Sequence, residues 1–185
     1  MTRTFVALLI PPEWAEHLGG ISRDLAPRTS GLSWVRPENV HVTLRFLGDL
    51  GDSGVRRAGE AVRRGAGDVA AFEARLGGLG AFPNLHRPRV LWAGLAAGGE
   101  EAGGLAAALN AALKAGGFGP ADKPFRAHLT LARIREGARG LEALASYQPP
   151  PPPPPAVLDR VVLMKSDLQP TGSRYTPLLE VRLRR

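Results

Sequence analysis

The stretch that decides the fold is Pro37-Glu38-Asn39-Val40-His41-Val42-Thr43-Leu44, because its pattern occurs twice in the chain. It returns as Pro124-Phe125-Arg126-Ala127-His128-Leu129-Thr130-Leu131, with the two histidines 87 residues apart (128 minus 41). The same offset carries Phe5 onto Trp92, and a helical pattern begins eight residues after each of them. Repetition at one fixed offset is the signature of a duplicated structural unit. The chain is therefore predicted to contain two related halves, each with a strand, a helix and a Pro-x-x-x-His-x-Thr-Leu motif.

Hydrophobic periodicity and turn residues around the motifs predict a mixture of strands and helices. The predicted strands are Phe5–Ile10, Val40–Leu47, Phe72–Leu79, Arg89–Leu95, Ala127–Arg133, Val157–Lys165 and Tyr175–Leu183. The predicted helices are Glu13–Leu25, 52–64, Glu100–Ala115 and Arg139–Tyr147. The last two strands follow each other directly, which favours an α+β fold over a doubly wound sheet. We expect a bilobal fold of two pseudo-symmetric lobes, each with an antiparallel-rich sheet and helices, and a cleft between them.

The chain is expected to form a single domain over residues 1–185, with motif halves of about 1–80 and 88–147 and closing strands at 156–185. Between them lie seven consecutive prolines, 149–155, which must adopt polyproline II because they have no N–H groups for a strand ladder. Such a run could be recognised by a proline-binding domain. Its position between globular segments favours a stiff surface spacer instead.

Each motif strand separates polar from apolar side chains. Residues i and i+2 of a strand share a face, so His41 lies beside Thr43 and His128 beside Thr130. If the halves pack about a pseudo-twofold axis, one cleft receives two imidazoles and two hydroxyls. Near pH 7 one imidazole can be neutral and the other protonated, which suits paired general base and general acid catalysis. Threonine hydroxyls suit the charged oxygens of a phosphate, so the pattern predicts phosphodiester chemistry, especially on a strained cyclic ester.

Two other interpretations of the paired motifs stay open. The histidines could be packing residues kept from an old duplication, although two copies with matched upstream prolines favour catalysis. They could also belong to a metal site, but zinc usually takes three or four protein ligands. Only Glu38 and Asp49 lie near the motifs to complete such a set. We therefore expect neither a metal nor a cofactor.

The composition indicates an anionic partner. Lys and Arg total 24 against 17 Asp and Glu, a formal net charge of +7, and arginine supplies all but three of the cations. Arginine binds phosphate as a planar fork. Cysteine is absent, which excludes a disulfide framework, a thiolate metal site and a cysteine nucleophile. The apolar run Phe5–Ile10 is too short to span a bilayer, which needs about 20 residues, and lacks signal-peptide features, so we expect a cytoplasmic protein without membrane association.

The twin His-x-Thr-Leu motifs resemble those of the 2H phosphoesterase superfamily. Further stretches resemble its bacterial and archaeal RNA 2′,3′-cyclic phosphodiesterase branch, historically called 2′-5′ RNA ligase. The stretches that carry this resemblance are Trp34–Gly48, Phe82-Pro83, Pro88–Gly94, Phe125–Arg133, Ser166-Asp167-Leu168, Gly172 and Tyr175. The resemblance extends over nearly the whole chain, but the seven prolines are not part of it.

The resemblance implies a metal-independent hydrolase that converts an RNA 2′,3′-cyclic phosphate into a 2′-phosphate end. It implies that His41 is the proton donor to the leaving 3′ oxygen and that His128 is the proton acceptor that activates water. From the residues alone the two motifs are symmetric, so this assignment comes from the family. The resemblance also implies that Thr43 and Thr130 bind the phosphate. The same chemistry allows a cyclic end to be joined to a 5′-hydroxyl through a 2′-5′ bond.

Three further residues are candidates for substrate binding. The resemblance implies that Phe46 stacks on a base and that Arg133 contacts a phosphate or a base. Each lies five residues after its histidine, where strict alternation would turn it toward the core unless a bulge re-aims it. For Phe46 a core role is an equal alternative, whereas an unpaired arginine in the core would be costly. Alternation places Arg45 on the face of His41 and Thr43, where it could hold phosphate or be solvated.

The expected partner is RNA with 2′,3′-cyclic phosphate ends, such as tRNA fragments, and the expected state is a monomer. Two other functions stay open at this point. One is a 2H enzyme for a small cyclic nucleotide, and the other is an RNA-binding protein without catalysis. The basic charge favours RNA over a small substrate but does not decide between these functions.

Overall fold

The computed structural model describes residues 1–169 and 172–185, which form nine strands and four α-helices. The strands are β1 (Thr2–Leu9), β2 (Ser30–Trp34), β3 (His41–Leu50), β4 (Phe72–Phe82), β5 (Val90–Ala97), β6 (His128–Arg139), β7 (Ala156–Leu158), β8 (Arg160–Gln169) and β9 (Gly172–Arg182). The helices are α1 (Pro12–Leu25), α2 (Asp52–Gly67), α3 (Gly99–Ala115) and α4 (Glu142–Ser146). Single 3₁₀ turns occupy Ala26–Arg28 and Pro37–Asn39.

The strands form one sheet in the order β7-β4-β5-β6-β3-β1-β8-β9, and β2 is a third partner of β6 beside β5 and β3. Neighbours in this order pair antiparallel. The two motif strands, β3 and β6, meet at the centre through the pair Val42 and Leu129. These residues occupy equivalent places in the two motifs, so a pseudo-twofold axis passes between them. The predicted two-lobed α+β fold is confirmed, with the difference that the strands of both lobes join into one sheet.

Helices α2 and α3 cover one face of the central strands. Val42 and Leu129 are fully buried in one hydrophobic cluster with Val62 of α2 and Leu105 and Leu109 of α3. Helices α2 and α3 also pack against each other. The opposite face carries the polar halves of both motifs, and we call it the motif face, defined by His41, Thr43, His128 and Thr130.

Each motif strand contains a bulge at the same place. Opposite β1, the pairing of β3 passes from Thr43 to Arg45 and leaves Leu44 without a partner. Opposite β5, the pairing of β6 passes from Thr130 to Ala132 and leaves Leu131 without a partner. The two leucines are 87 residues apart and end their motifs. A bulge reverses the alternation of all residues beyond it.

Most predicted elements are present, with three differences. Strand β2 was not predicted. Strand β6 continues to Arg139, so the predicted helix Arg139–Tyr147 is reduced to α4. The predicted strand Val157–Lys165 is divided into β7 and β8.

The proline run forms no strand or helix and links α4 to β7. It is held against α1, because the indole Nε1–H of Trp14 donates to the carbonyl of Pro154 at 3.2 Å. The described part of the chain contains no helix long and apolar enough to cross a membrane.

Candidate active site

His41 is the first residue of β3 and is held from both sides of its ring. Its Nδ1–H donates to the carbonyl of Asn39 at 2.7 Å, so neutral His41 has a bare lone pair on Nε2. That nitrogen lies 2.9 Å from Oγ1 of Thr43, whose hydroxyl donates to it. The Asn39 backbone is itself anchored, since its side-chain Nδ2 donates to the carbonyl of Ser173 at the start of β9.

Aromatic rings enclose His41. Phe5 stacks on the imidazole with ring centroids 4.9 Å apart, and Tyr175 meets it edge-on at 5.5 Å. Phe5 and Tyr175 also contact each other, with ring centroids 4.9 Å apart. This enclosure removes water from the ring and disfavours its charged form.

The pKa of His41 is lowered from 6.5 to about 4, and the main cause is burial. The hydrogen bond to the Asn39 carbonyl acts in the opposite direction, and the nearby charge of His128 lowers the pKa further. His41 is therefore neutral near pH 7. The influence of His128 also indicates that the two imidazoles lie within electrostatic reach of each other.

His128 repeats one half of this arrangement. Its Nδ1–H donates to the carbonyl of Arg126 at 2.7 Å, the same i−2 contact that His41 makes. Its aromatic neighbours differ: Phe82 meets the ring edge-on at 5.0 Å and Trp92 at 6.5 Å. In both motifs the backbone carbonyl selects the same tautomer, so both Nε2 atoms are the groups left to act on a substrate.

Each threonine lies across the sheet from the histidine of the other motif. Antiparallel register around the pair Val42 and Leu129 sets Thr43 opposite His128, and Thr130 opposite His41. Directly opposite residues have Cβ atoms about 4.5–5.5 Å apart. All four predicted motif residues are thus gathered on the motif face, each half-buried.

The bulges decide the positions of the other predicted residues. Beyond Leu131, Arg133 returns to the motif face, where it pairs with Val90 and is exposed. Beyond Leu44, Phe46 pairs with Phe5 on the same face and is 57% exposed, which argues against a core role.

The predicted position of Arg45 beside His41 is wrong. The bulge turns it to the helix-covered face, because it pairs with Val6 of β1. There Nη1 donates to Oδ1 of Asn110 on α3 at 2.7 Å, and Nη2 donates to the carbonyls of Gly119 and Pro120, each at 2.6 Å. Arg45 ties β3 to the segment that leads into β6, so its geometry supports a structural role rather than phosphate binding.

Sequence reasoning did not select the aromatic neighbours of the histidines. Phe5 and Trp92 were matched by the repeat offset, which could have marked them as site residues. Gly80 leaves room for the Trp92 ring beside His128, since a Cβ at this position would lie 2.3 Å from that ring. Residues 1–169 and 172–185 hold no group of three or more His, Cys, Asp or Glu side chains suited to a metal ion.

Comparisons with known proteins show the family to which the chain belongs. The family described as LigT like phosphoesterase matches residues 8–92 and 95–175. A protein of Archaeoglobus fulgidus named RNA 2′,3′-cyclic phosphodiesterase is 38% identical over 177 residues, covering 95% of this chain and 97% of that protein. One of Aeropyrum pernix with the same name is 41% identical over 151 residues, covering 80% and 84%.

Solved structures show the same fold. A crystal structure of a Thermus thermophilus protein matches with a TM-score of 0.77 at 32% identity and covers 98% of both chains. E. coli LigT complexed with 3′-AMP matches with a TM-score of 0.77 at 25% identity, again over 98% of both chains. The predicted family and enzyme class are confirmed: this chain belongs to the LigT-like phosphoesterase family.

Proposed function

We propose that this protein hydrolyses the 2′,3′-cyclic phosphate end of an RNA to a 2′-phosphate end. The observation that carries the proposal is the matched pair of imidazoles on the motif face, each with its Nδ1–H bound to an i−2 carbonyl, so that Nε2 is the nitrogen able to exchange a proton. The curated relatives named RNA 2′,3′-cyclic phosphodiesterase support the same substrate. The solved complex of E. coli LigT with 3′-AMP supports a nucleotide ligand.

The reaction needs one base and one acid. Water attacks the phosphorus while Nε2 of His128 takes its proton. The bond between phosphorus and O3′ breaks, and O3′ takes a proton from Nε2 of His41. The product has a 2′-phosphate and a free 3′-hydroxyl, and both imidazoles return to their starting states by exchange with solvent. If a 5′-hydroxyl replaces water, the same step forms a 2′-5′ phosphodiester.

The donor role of His41 depends on the substrate. Its pKa of about 4 leaves it neutral near pH 7. A phosphodiester anion beside Nε2 favours the charged imidazole, so His41 gains its proton as the substrate binds. An acid with an intrinsically low pKa then gives this proton readily to the departing alkoxide.

The remaining candidates orient the substrate. The hydroxyls of Thr43 and Thr130 donate to the two non-bridging phosphate oxygens as negative charge develops on them. Phe46 offers an exposed aromatic ring to the terminal base, and Arg133 offers a cation on the opposite side of the centre. The reaction as proposed uses no metal, the substrates include fragments of transfer RNA, and the enzyme acts as a monomer.

The test uses an oligoribonucleotide with a 2′,3′-cyclic phosphate end, incubated with the protein in EDTA. We expect conversion to the 2′-phosphate, identified by chromatography against 2′- and 3′-phosphate standards. Absence of conversion overturns the proposal. Turnover of a cyclic mononucleotide but not of the RNA end would identify a small-nucleotide enzyme. Salt-sensitive RNA binding without any turnover would identify a binding protein.

A further inference from the structure

A second arginine follows Arg133 on the motif face. Arg133 and Arg135 of β6 are both exposed, and the residue between them, Ile134, is buried. Residues i and i+2 of a strand share a face and lie about 6.6 Å apart at 3.3 Å per residue. This spacing is comparable with the distance between successive phosphates of an extended nucleic-acid strand. We call Arg133 and Arg135 the basic arm.

Arg135 is directed toward the centre of the site. Its Nη2 donates to Oγ of Ser33 at 3.1 Å, and Ser33 of β2 is the direct cross-strand partner of Arg133. The guanidinium therefore leans back toward Arg133 rather than away into solvent. Arginine has five N–H donors, so one bond to a hydroxyl leaves the others for an anion.

The basic arm has no acidic partner in the described ranges 1–169 and 172–185. The ion pairs there use Arg23, Lys165 and Arg182, and none uses Arg133 or Arg135. Two neighbouring guanidiniums without a carboxylate repel each other, and a bound anion relieves this repulsion.

The duplication shows that this arm is specific to one half. The residues equivalent to Arg133 and Arg135 are Phe46 and Gly48 in the first motif. Because β3 and β6 run antiparallel from their central pair, the two arms leave the centre in opposite directions. One arm offers an exposed ring and the other offers two cations. A 2′,3′-cyclic nucleotide held at the centre could therefore place its base against the exposed ring and its 5′ phosphate against the two cations.

We propose that the strand upstream of the reacting end runs along β6, with an upstream phosphate bound by Arg135 and the Ser33 hydroxyl. This proposal rests on the proposed function and adds that the preferred substrate is a polynucleotide end rather than a mononucleotide. The chemistry recognised is a second phosphodiester one or two nucleotides from the cyclic end.

The test compares two substrates that share a terminal nucleotide: a 2′,3′-cyclic mononucleotide and a short oligoribonucleotide with the same cyclic end. We expect R135A to lower kcat/KM about fivefold for the oligomer and to leave the mononucleotide within twofold of wild type. The loss in kcat/KM becomes smaller as the salt concentration rises. For the oligomer, the slope of log kcat/KM against log salt concentration becomes shallower by about the amount that one phosphate contact contributes. S33A gives a smaller loss in the same direction.

Arg63 provides the matched control, because it is an exposed arginine on α2, away from the motif face. R63A should change neither substrate, and thermal denaturation should show that each variant folds. If R135A affects both substrates equally, or neither, the proposal for β6 is overturned while the hydrolase activity stands. If wild type cleaves neither substrate, the proposed function itself fails. R135K should retain part of the oligomer preference, since it keeps the charge but not the fork.

Discussion

The two motif halves of this molecule share the Pro-x-x-x-His-x-Thr-Leu pattern but differ in the residues that surround it. In both, the imidazole Nδ1–H donates to the carbonyl two residues earlier, at the same 2.7 Å. His41 is then enclosed by Phe5 and Tyr175 and is bonded to Thr43. His128 instead meets the edges of Phe82 and Trp92. The two halves therefore hold the imidazole in the same orientation but surround it with different aromatic side chains.

This difference supports the two separate roles that we propose for the symmetric pair. Local backbone geometry fixes which nitrogen faces the substrate, and this part follows the repeated sequence. Burial disfavours the charged form of His41, and this part depends on Phe5 and Tyr175, rings from β1 and β9 that lie outside the motif.

The largest expected effect comes from removing either imidazole. His41→Ala and His128→Ala should each lower kcat about 10²–10⁴-fold on a cyclic RNA end, because general acid or base catalysis contributes that much. Rates are measured in single-turnover assays, with circular dichroism to confirm folding. Variants that keep full activity would contradict the two-histidine mechanism.

The same two variants distinguish the proton donor from the proton acceptor when the leaving group of the substrate is changed. A nucleoside 4-nitrophenyl phosphodiester releases a phenolate that needs no proton. His41→Ala should then retain most of the wild-type rate on this substrate, whereas His128→Ala should not. The reverse result would exchange the donor and the acceptor.

The threonines should give the next largest effect. Thr43→Val and Thr130→Val should each lower kcat about 10²–10³-fold, because each removes one donor to developing charge on the phosphate. Thr→Ser at either position keeps the hydroxyl and serves as the matched control. Losses below tenfold in both valine variants would show that the hydroxyls do not stabilise the transition state.

Part of this site was predictable from the sequence because it depends on a short repeat. The i, i+2 rule correctly placed each histidine beside its threonine. The rule failed beyond Leu44 and Leu131, where bulges exchange the faces of Arg45 and Phe46. No glycine or proline marks these bulges, because they arise from pairing with neighbouring strands that are distant in sequence. Strand β2 was missed for a similar reason: Ser30–Trp34 is short, begins Ser-Gly and is defined by its partner β6.

The enclosure of His41 should also appear in the pH dependence of folding. The unfolded chain binds a proton at His41 near pH 6.5, whereas the folded protein binds it near its lowered pKa of about 4. Between these values the unfolded state holds more protons, so the free energy of unfolding falls as the pH falls. From pH 7 to pH 5 the loss should be about 1–2 kcal/mol.

Urea denaturation of wild type and His41→Gln across this range tests whether His41 causes this dependence. The His41 variant should lose less stability than wild type on acidification, because its side chain does not titrate. Parallel profiles for wild type and His41→Gln would show that the aromatic enclosure does not control this proton.

The smallest expected effect concerns Arg45, whose equivalent in the second half is Ala132. Arg45→Met removes the bonds to Asn110, Gly119 and Pro120, and should lower the free energy of unfolding by about 1 kcal/mol, since the partners are partly exposed. Turnover of a cyclic mononucleotide should stay within threefold of wild type. Arg45→Lys distinguishes the two interpretations: a lysine cannot bind three groups in one plane, so stability should stay low, whereas a phosphate contact would be partly restored by the charge. If Arg45→Met raised KM without lowering stability, and Arg45→Lys restored KM, Arg45 would be a substrate-binding residue. That result would contradict the conclusion that the bulge at Leu44 places Arg45 on the face opposite the motif residues.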